Sequence, residues 1–429
     1  MNEQGYEFYV GIDWATEAHQ VCVVDRERRL RGERSVEHTG AALGELADWL
    51  TAVAAGHPER IAIAIEVPRG AVVDTLLERG FHLFALNPKQ LDRFRDRHTV
   101  AGAKDDRRDA FVLADSLRTD QPAFRRLQGD HPLIVQLREL SRIEEDLQQE
   151  LNRLTNRLRE QLHRFFPQVL RLCPAADEPW LWALVALVPT PAAVSRLPRR
   201  HVERLLREHR IRRVTGEAVL AQLQTPALYV APGTVEAASA HIALLLPRLR
   251  LVHEQRTNCG PRIEALLAQL GTAAESEGQS IEHRDVEILR SLPGVGRVTA
   301  ATMLAEAARP LAQRDYHALR VQTGIAPVTR QSGKRAVVAM RYACHGRLRN
   351  AVYHWARVSV QSDPHSRSHY AALRQRGHSH GRALRGVADR LLRILMAMLK
   401  SQTTYDPDRR RPLHTGTLCS VGKLLAPAA

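Results

Sequence analysis

Short apolar runs alternate with amphipathic stretches along the N-terminal part of the chain. Two strands joined by a turn are expected within Glu7–Asp25, and a third short strand at Leu30–Val36. Ile61–Glu66, IAIAIE, is a continuous apolar run of the kind that forms a strand buried on both faces. The other predicted elements are helices near Ala41–Ala54, Ala71–Arg79, Lys89–Arg97 and Asp106–Leu117 and a strand at Phe81–Asn87. This order predicts an α/β fold with a mixed sheet whose crossover strands are parallel.

Leucines at heptad spacing predict a long helix in the middle of the chain. The seam consists of Leu133, Leu137, Leu140, Leu147, Leu151, Leu154 and Leu158, with Glu144 at its missing position. A second seam consists of Leu245, Leu249, Val252, Arg256, Cys259, Ile263, Leu266 and Leu270. The two could pair with each other or with another subunit as a coiled coil. Pro247 and Pro261 are expected to kink or interrupt the second helix, and residues 168–232 have no pattern that can be interpreted.

A new unit is predicted from Asp285 onwards. ILRSLPGVGRVTAATMLAE predicts a helix, a hairpin at Pro293–Gly296 and a second helix. Helical patterns return near Asn350–Gln361 and Arg382–Lys400, and the last residues have the composition of a mobile tail. The predicted organisation is an α/β domain at 1–125, a helical coiled-coil region at 130–284, a mostly helical domain at 285–400 and a tail at 401–429.

The chain is strongly basic. Its 429 residues include 62 Lys+Arg against 47 Asp+Glu, a net charge of +15. This excess favours nucleic acid as a partner, although a basic soluble surface is the alternative. No apolar stretch reaches the roughly 18 residues of a membrane span, so no membrane partner is expected. The N-terminus lacks a signal pattern, and five scattered cysteines form neither a zinc spacing nor a disulfide framework. A cytoplasmic location is expected.

Acidic residues fall at the ends of predicted elements. Asp13 follows the first strand, and Glu66 ends the IAIAIE strand. In open α/β sheets, binding and catalytic residues lie beyond the carboxyl ends of the strands. The segment AKDDRRDA adds Asp109 together with Asp105 or Asp106, because either pair would share one helix face. Four such acids brought together would suit Mg²⁺ or Mn²⁺, and two ions could activate the attacking oxygen and stabilise the leaving one.

Each of these acids also has an ordinary explanation when it is taken alone. Asp13 could be a turn or cap residue, and Glu66 could be an edge acid paired with Arg69. DDRRD is also typical of a solvated, salt-bridged helix face. Their co-occurrence, each at the end of a predicted element, favours the metal site, while the choice between Asp105 and Asp106 stays open on spacing alone.

The same motifs resemble those of a known family. GIDWA with Asp13, IEVPRG with Glu66 and KDDRRDA with Asp106 and Asp109 are similar to the DEDD transposases of the insertion-sequence-110 family, including its 1111 subgroup. The family's Lys-x-Asp-x-x-Asp-Ala pattern, placed on this chain, selects Asp106 and falls on Lys104, Asp106, Asp109 and Ala110. The resemblance implies a ribonuclease-H-like N-terminal domain of the RuvC kind and a metal-dependent recombinase acting on target and donor DNA.

The C-terminal unit resembles the same family. LPGVGRVTAATMLAE is similar to its helix-hairpin-helix segment, and YHALRVQTGIAPVTRQSGKR with GRLRNAVYHWA to its second conserved region. There the family has a serine nucleophile, which falls on Ser332. The resemblance therefore implies a covalent serine–DNA intermediate, with the metal site brought close to Ser332 from the same or another subunit. It also implies a guide RNA encoded beside the gene and a homodimer or homotetramer around two DNAs.

Residues near these motifs could contact nucleic acid. Gly294 and Gly296 would let a phosphate approach a helix N-terminus, although a tight interhelical turn explains them equally well. By itself the Ser-Gly dipeptide at Ser332 is an ordinary loop sequence. Basic residues flank it and recur further along the chain, namely Arg330, Lys334, Arg335, Arg341, Arg347 and Arg349. They could bind phosphates, or they could form a solvated basic face.

The sequence thus predicts a transposase and leaves two other functions open. A metal-dependent RuvC-like endonuclease or junction resolvase would hydrolyse DNA with water, and it would need the acids but not Ser332. A non-enzymatic coiled-coil scaffold with a helix-hairpin-helix would bind DNA with a strong salt dependence and no metal requirement.

Overall fold

The computed structural model describes residues 5–86, 90–94, 105–272, 281–332 and 335–407. Of the predicted helix at Lys89–Arg97, residues 90–94 are described and helical. The rest of that helix, Lys104, Lys334 and most of the predicted tail fall outside the described residues. The chain divides into two compact units, Met1–His131 and Pro132–Ala429, and each has its own hydrophobic core. Along the described stretches, no helix combines the length and apolarity needed to cross a lipid bilayer.

The N-terminal unit is built on one six-stranded sheet. Its strands are β1 (Phe8–Asp13), β2 (Ala18–Asp25), β3 (Leu30–Glu37), β4 (Ile61–Ile65), β5 (His82–Ala85) and β6 (Arg125–Arg126). They lie in the order β3-β2-β1-β4-β5-β6. The first three strands are antiparallel, β4 and β5 run parallel to β1, and β6 runs antiparallel to β5. The predicted mixed sheet with parallel crossover strands is confirmed.

Helices cover both faces of this sheet, as its continuous apolar strands require. They are α1 (Gly40–Val53), α2 (Ala71–Glu78) and α3 (Asp106–Asp120). Helices α1 and α2 pack on the face that carries Val10, Ile12 and Ile63. Helix α3 packs on the other face, against Tyr9 and Ala64. Every residue of β4 is fully buried, which is the burial that its uninterrupted apolar run predicted.

Two long helices form the spine of the C-terminal unit, with short helices between them. The elements in chain order are α4 (Pro132–Phe165), α5 (Gln168–Leu172), α6 (Pro179–Leu187), α7 (Arg199–Glu208), α8 (Gly216–Leu223) and α9 (Thr234–Thr272). Helices α4 and α9 pack along each other. Glu144 meets Arg256, whereas Glu150 meets Arg248, so the two helices run antiparallel. The two leucine seams therefore face each other within one chain.

The polar interruptions of the two seams meet as an ion pair. Arg256 Nε donates to Glu144 Oε1 at 3.0 Å, and the Glu144 side chain is only 5% exposed. A buried carboxylate is costly unless it has a partner. An ion pair at one level of an apolar seam also disfavours shifted registers, which would separate the charges. We therefore infer that Glu144 occupies a leucine position of the first seam because it pairs with Arg256 of the second seam.

Of the two effects expected from the prolines, a kink or an interruption, the interruption is wrong, because α9 runs continuously through Pro247 and Pro261. Both prolines lie on the exposed side of the helix. There, water can hydrate the carbonyl groups that lose their hydrogen-bond donors. The buried seam, which includes Leu249 and Ile263, supplies the packing that holds the helix together despite the local cost of each proline.

The stretch at 168–232, which had no interpretable pattern, folds as helices α5 to α8, which share one hydrophobic core with the adjoining parts of α4 and α9. Trp180 and Trp182 are buried there, and the Trp182 indole donates to the carbonyl of Ala176 at 2.8 Å. These helices have between five and ten residues each. Periodicity over so few residues is weak, and this explains why no pattern was visible.

The remainder of the C-terminal unit is helical apart from one hairpin. Its helices are α10 (Ile281–Ser291), α11 (Arg297–Glu306), α12 (Ala308–Ala312), α13 (Tyr316–Gln322), α14 (Gly346–Ser362), α15 (Pro364–Gln375) and α16 (His380–Ser401). The hairpin consists of β7 (Val328–Ser332) and β8 (Arg335–Ala339). The predicted pair of helices around Pro293–Gly296 and the helical patterns near 350–361 and 382–400 are confirmed. The hairpin and α15 were not predicted.

Candidate functional site

The first two predicted acids lie on neighbouring parallel strands. Strands β1 and β4 pair in a register that places Ile12 opposite Ile65. Asp13 ends β1 and Glu66 directly follows β4, so the same register places these two acids side by side. Both are partly exposed. The sequence separates them by 53 positions, and the parallel pairing brings them to one edge of the sheet.

Helix α3 approaches this part of the sheet unusually closely. A Cβ added to Gly11 would lie 1.9 Å from the carbonyl oxygen of Ala110 and 2.6 Å from the amide nitrogen of Ala114. Real contacts never become so short, so only glycine fits at this position of β1. The contact presses α3 onto β1 at Ala110. Asp109, the preceding residue, is only 2% exposed.

The direction of α3 follows from contacts near its C-terminal end. Asp115 pairs with Arg28 at 3.2 Å, and Arg118 donates to the carbonyl of Arg26 at 3.3 Å. Both of these partners follow β2, beside the residue where β1 begins, since Phe8 pairs with Asp25. The first turn of α3 therefore points towards the opposite end of β1, where Asp13 lies. That turn contains Asp106 and Asp109.

These relations place Asp13, Glu66, Asp106 and Asp109 at one end of the sheet, and we call this set the acidic edge. Asp105 has another role, because it is the N-cap of α3 and its side chain accepts from the amide of Arg107 at 3.2 Å. Asp106 opens the helix and is exposed. The capping bond gives Asp105 a structural role that spacing alone could not show.

The donor set of the acidic edge has the chemistry that Mg²⁺ or Mn²⁺ requires, since all four groups are hard carboxylate oxygens. The carboxylates do not converge on a single point. Among the described residues, no three of them bring ligand atoms within 4.8 Å of one another. Four like charges repel at short range unless a cation lies between them. The four acids thus lie at one end of the sheet, where no three of their described ligand atoms form a compact group.

A buried histidine supports the loop that follows Asp13. His19 Nδ1 accepts from the amide of Ala15 at 3.3 Å, and its Nε2 lies 2.8 Å from His38 Nδ1. Since Nδ1 is an acceptor, Nε2 carries the proton and donates to His38. Burial lowers the pKa of His19, and the neighbouring His38 lowers it further. The sequence analysis missed this pair, whose only signal was a histidine inside an apolar strand.

A second group of possible ligands lies at Cys173, Asp177 and Glu178, whose ligand atoms approach within 4.8 Å. The Glu178 carboxylate is already engaged. It pairs with Arg213 at 2.6 Å and accepts from the Trp180 indole at 2.9 Å. Burial raises the pKa of the Cys173 thiol, which disfavours the thiolate that would bind a metal. These contacts assign the group a structural role.

Ser332 lies on the exposed hairpin, here called the serine hairpin and formed by β7 and β8. It is the last residue of β7, and its backbone pairs with Arg335. Arg330 precedes it by two positions, so both side chains project from the same face of the ribbon. Both are exposed. The side chain of Arg335, like all of Lys334, lies outside the described residues.

The two glycines of the interhelical turn differ in their surroundings. Gly294 has φ +81°, and a Cβ there would lie 2.7 Å from the amide of Ser359 on α14. The same helix binds the turn through Ser359 Oγ and the Trp355 indole, which donate to the carbonyl of Pro293 at 2.6 and 3.0 Å. Gly294 is therefore a packing residue. Gly296, the N-cap of α11, has open space around it.

The predicted basic residues of α14 also differ. Arg347 forms ion pairs with Glu145 at 2.6 Å and Asp146 at 2.9 Å, so its charge is compensated within the unit. Arg349 donates only a long contact to Cys344 Sγ at 4.0 Å. Arg341, on the loop before α14, donates to the carbonyl of Ala326 at 3.3 Å. Of these residues, Arg349 is the one whose charge is least compensated among the described side chains.

A buried carboxylate anchors α11 to α4. Arg142 binds Glu306 through two nitrogens at 2.7 and 3.0 Å, and His345 lies 3.4 Å from the same carboxylate. Burial by itself raises the pKa of Glu306, but the hydrogen bond and charge of Arg142 lower it overall. Glu306 ends the segment that resembles the family's helix-hairpin-helix, and this ion pair fixes where that segment sits.

Two transposase families match parts of this chain. A family described as a transposase, with the DEDD and IS110 labels, matches residues 10–167, and the transposase IS116/IS110/IS902 family matches residues 286–371. The first range contains the whole acidic edge, and the second contains Ser332. Together with the sheet and its acids, these matches define an insertion-sequence transposase, a class of enzyme that recombines DNA.

Individual relatives agree with this result. The chain is 31% identical to the mini-circle putative transposase for IS117 of Streptomyces coelicolor over 95% of this chain and 98% of the relative. It is 49% identical to the putative transposase y4uE of Sinorhizobium fredii, over 53% of this chain and 62% of that protein. An uncharacterized 42 kDa protein of the insertion element IS900 of Mycobacterium paratuberculosis is 28% identical over 93% of this chain and 97% of its own. The chain belongs to the IS110 family of transposases.

Proposed function

We propose that this transposase cuts and rejoins DNA through a covalent bond between Ser332 and a DNA phosphate, assisted by divalent metal at the acidic edge. One observation carries the proposal: Asp13 and Glu66 end adjacent parallel strands, and the first turn of α3 points to that same end of the sheet. Acids placed together at one end of a sheet have no role in packing the core of the unit. We further propose that the unit has the ribonuclease-H-like fold of RuvC, which the strand order supports.

In the proposed reaction the Ser332 hydroxyl loses its proton and its Oγ forms a bond to phosphorus. A deoxyribose oxygen leaves and takes up a proton. Attack by a deoxyribose hydroxyl on the same phosphorus reverses the step, releases the serine and joins two strands. Mg²⁺ or Mn²⁺ held by Asp13, Glu66, Asp106 and Asp109 would activate the attacking oxygen and stabilise the leaving one. Because a serine hydroxyl is a weak nucleophile at neutral pH, it needs such activation.

The chain's other residues have supporting roles in this proposal. Arg330 lies on the Ser332 face of the hairpin, where a guanidinium can hold the phosphate and stabilise charge that develops on it. Lys334 and Arg335 are proposed to act with it. Gly296, at the open N-terminus of α11, remains the glycine where a DNA phosphate can approach. Arg349 is proposed as a further contact with nucleic acid.

The choice of DNA sequence needs a further component. Among the described residues we find no base-reading module such as a zinc finger. We propose that an RNA encoded beside the gene pairs with target and donor DNA, and that the protein binds backbone and shape. The net charge of +15 supports a partner of this kind. We also propose that the protein acts as a homodimer or homotetramer in the cytoplasm. The proposed domain boundaries within each chain lie near residues 125, 130, 284 and 400.

A denaturing gel tests the covalent intermediate. The purified protein is incubated with Mg²⁺, with RNA transcribed from the noncoding DNA beside the gene, and with labelled DNA that spans the element boundary. We expect a protein–DNA adduct that disappears with Ser332→Ala, with Asp13→Asn and with chelator. Glu78→Gln, an exposed acid on α2, is the matched control and should keep the adduct.

Two outcomes would replace the proposal with its alternatives. Cut DNA without an adduct, unaffected by Ser332→Ala but lost with Asp13→Asn, would identify a RuvC-like endonuclease or junction resolvase that uses water. Ser332 and the acidic edge belong to different units. For this reason the test must address cleavage at the acidic edge without Ser332. DNA binding without cutting, unchanged when all four acids are replaced, would identify a non-enzymatic scaffold.

A further inference from the structure

A cavity of about 190 Å³ lies in the C-terminal unit at the base of the serine hairpin. It is bounded by the loop after α13, by Met340, which directly follows β8, and by the N-terminal turns of α14 and α16. Its floor is apolar and includes Ile325 and Leu384. Its polar lining includes Arg349, Asn350, Tyr353 and Arg385. We call it the arginine pocket.

The two arginines of this pocket form no ion pair with a carboxylate among the described residues. Arg385 donates to Met340 Sδ at 3.4 Å, and Arg349 donates to Cys344 Sγ at 4.0 Å. Sulfur is a weak acceptor, and within the described residues no carboxylate lies within 4.0 Å of either guanidinium. By contrast, Arg320 pairs with Asp389 at 2.6 Å. Two uncompensated guanidinium groups beside one cavity indicate an anionic ligand.

The rest of the lining indicates what that anion carries. Tyr353 lines the cavity and is 39% exposed, and an exposed aromatic ring beside arginines is a surface on which a nucleic acid base stacks. The apolar floor suits a planar ring that has left water. Asn350 offers both a donor and an acceptor to the edge of such a ring. A simple phosphate site would have no use for these three features.

We infer that the arginine pocket binds one unstacked nucleotide of a single strand, with its phosphate on Arg349 and Arg385 and its base over Tyr353. The inference rests on the proposed function for its ligand, which is nucleic acid. A base that is paired in a duplex cannot enter a pocket of this size, because it must first leave the stack. The strand is either DNA opened near the cleavage site or RNA, and the chemistry of the pocket is the same for both.

The position of the pocket connects it with Ser332. The pocket lies at the base of the hairpin beside Met340, whereas Ser332 pairs with Arg335 at the far end of the ribbon. Five residues of β7 span about 13 Å at the usual rise of a strand. Stacked nucleotides rise about 3.4 Å each. The pocket therefore holds a nucleotide a few positions away from the phosphate that Ser332 attacks.

Three variants of the full chain test this inference. Arg349→Gln with Arg385→Gln removes both charges. Gly381→Leu fills the cavity and keeps both arginines, because a Cβ at Gly381 meets only Arg385 Nη1, at 3.7 Å, and the change favours a helix. Arg357→Gln is the matched control, since Arg357 is exposed on α14 and is not part of the pocket lining.

The probe is a short single-stranded oligonucleotide with one 2-aminopurine, whose fluorescence responds to stacking on an aromatic ring. We expect a saturable fluorescence change with the wild-type protein. The double arginine variant should weaken binding about tenfold or more, as the loss of two charge-assisted contacts requires. Gly381→Leu should abolish the fluorescence change, and Arg357→Gln should leave both quantities within about twofold. A blunt duplex with the same base should give no change.

Parallel titrations with DNA and RNA strands identify which one the pocket prefers. Displacement of the probe by deoxyadenosine monophosphate but not by inorganic phosphate supports a nucleotide site. The inference is overturned if inorganic phosphate displaces the probe equally well, if the duplex gives the same response, or if Gly381→Leu behaves like Arg357→Gln. Asp13→Asn and Ser332→Ala should keep the fluorescence change. If the wild-type protein forms no covalent adduct but still gives the fluorescence change, the proposed chemistry is refuted and the inference about the arginine pocket is retained.

Discussion

The acidic edge and the serine hairpin are built in opposite ways. The acids are attached to β1 and β4, whose apolar residues are almost wholly buried, and to a helix pressed onto β1 at Gly11. Ser332 lies on a two-stranded ribbon whose described side chains are mostly exposed, including Val338 at 67%. An isolated two-stranded hairpin is only marginally stable in water. One site is positioned by a core, and the other is presented on a surface.

This difference indicates what each site needs. Carboxylates that share a cation must be placed within a fraction of an ångström, which buried strands and a packed helix can do. A nucleophile that must reach a DNA backbone benefits from exposure, and its final position can be set by the DNA and by partner chains. Substitutions should therefore affect stability strongly on the first site and weakly on the second.

The largest effect is expected at Gly11. Gly11→Ala places a Cβ where only 1.9 Å separates it from the Ala110 carbonyl, so α3 must move away from β1 and carry Asp106 and Asp109 with it. We expect the free energy of unfolding to fall by about 3 kcal/mol or more. Denaturant titration followed by circular dichroism measures this loss.

A matched glycine separates this clash from the general effect of adding a methyl group. Gly44, within α1, has nothing within 4 Å of an added Cβ. Gly44→Ala should raise the stability by about 0.5–1 kcal/mol, as alanine does in helix interiors. An equally small change for Gly11→Ala would show that α3 does not depend on this contact, and the argument that places Asp109 beside β1 would fail.

The same contrast explains how much of the molecule was predictable. The elements of the N-terminal unit follow from its sequence because their signals are local: IAIAIE is apolar along its whole length, and β4 is buried along its whole length. The serine hairpin was missed because VTRQS is mostly polar and exposed, while RAVVA is a short apolar run that does not alternate with polar residues. A strand without a buried face leaves no alternating pattern to read.

Predictions of single site residues failed or succeeded for a related reason. A sequence shows that a residue is charged but not what its charge meets. Arg347 and Arg349 are two positions apart and looked equivalent, yet Arg347 pairs with Glu145 from a helix about 200 residues earlier. Likewise Asp105 and Asp106 differ only by the capping bond of Asp105. The first distinction depends on a tertiary contact and the second on the residue at which the helix begins, and the residue types alone reveal neither.

An intermediate effect is expected from pH at His19. Its lowered folded-state pKa means that the unfolded chain binds the proton more readily. Stability should therefore be full above the ordinary value of about 6.5, and it should fall as the pH drops from there to the folded-state pKa. Protonation of Nδ1 also removes the acceptor of the Ala15 amide, a loss of about 1 kcal/mol. Urea titrations at several pH values measure the slope.

His19→Gln should flatten this slope, because the amide does not titrate while its oxygen can still accept from Ala15. Equal slopes for the wild type and His19→Gln would mean that this histidine does not hold the loop after Asp13, and the acidic edge would then lose one element of its support.

The smallest effect on stability is expected at Arg330 of the serine hairpin. Arg330→Gln should change the free energy of unfolding by less than about 0.5 kcal/mol, because the side chain is exposed. If it contacts a phosphate, the slope of log affinity against log salt concentration should decrease by about one.

Arg347→Gln should show the reverse pattern: the loss of its ion pairs with Glu145 and Asp146 costs about 1 kcal/mol, while the salt slope stays unchanged. DNA-binding titrations over a range of salt, with denaturant unfolding of the same variants, compare the two arginines. If Arg330→Gln destabilised the fold as much as Arg347→Gln and left the salt slope intact, the hairpin would be a structural element, and the contrast between a site held by a core and a site presented to DNA would not stand.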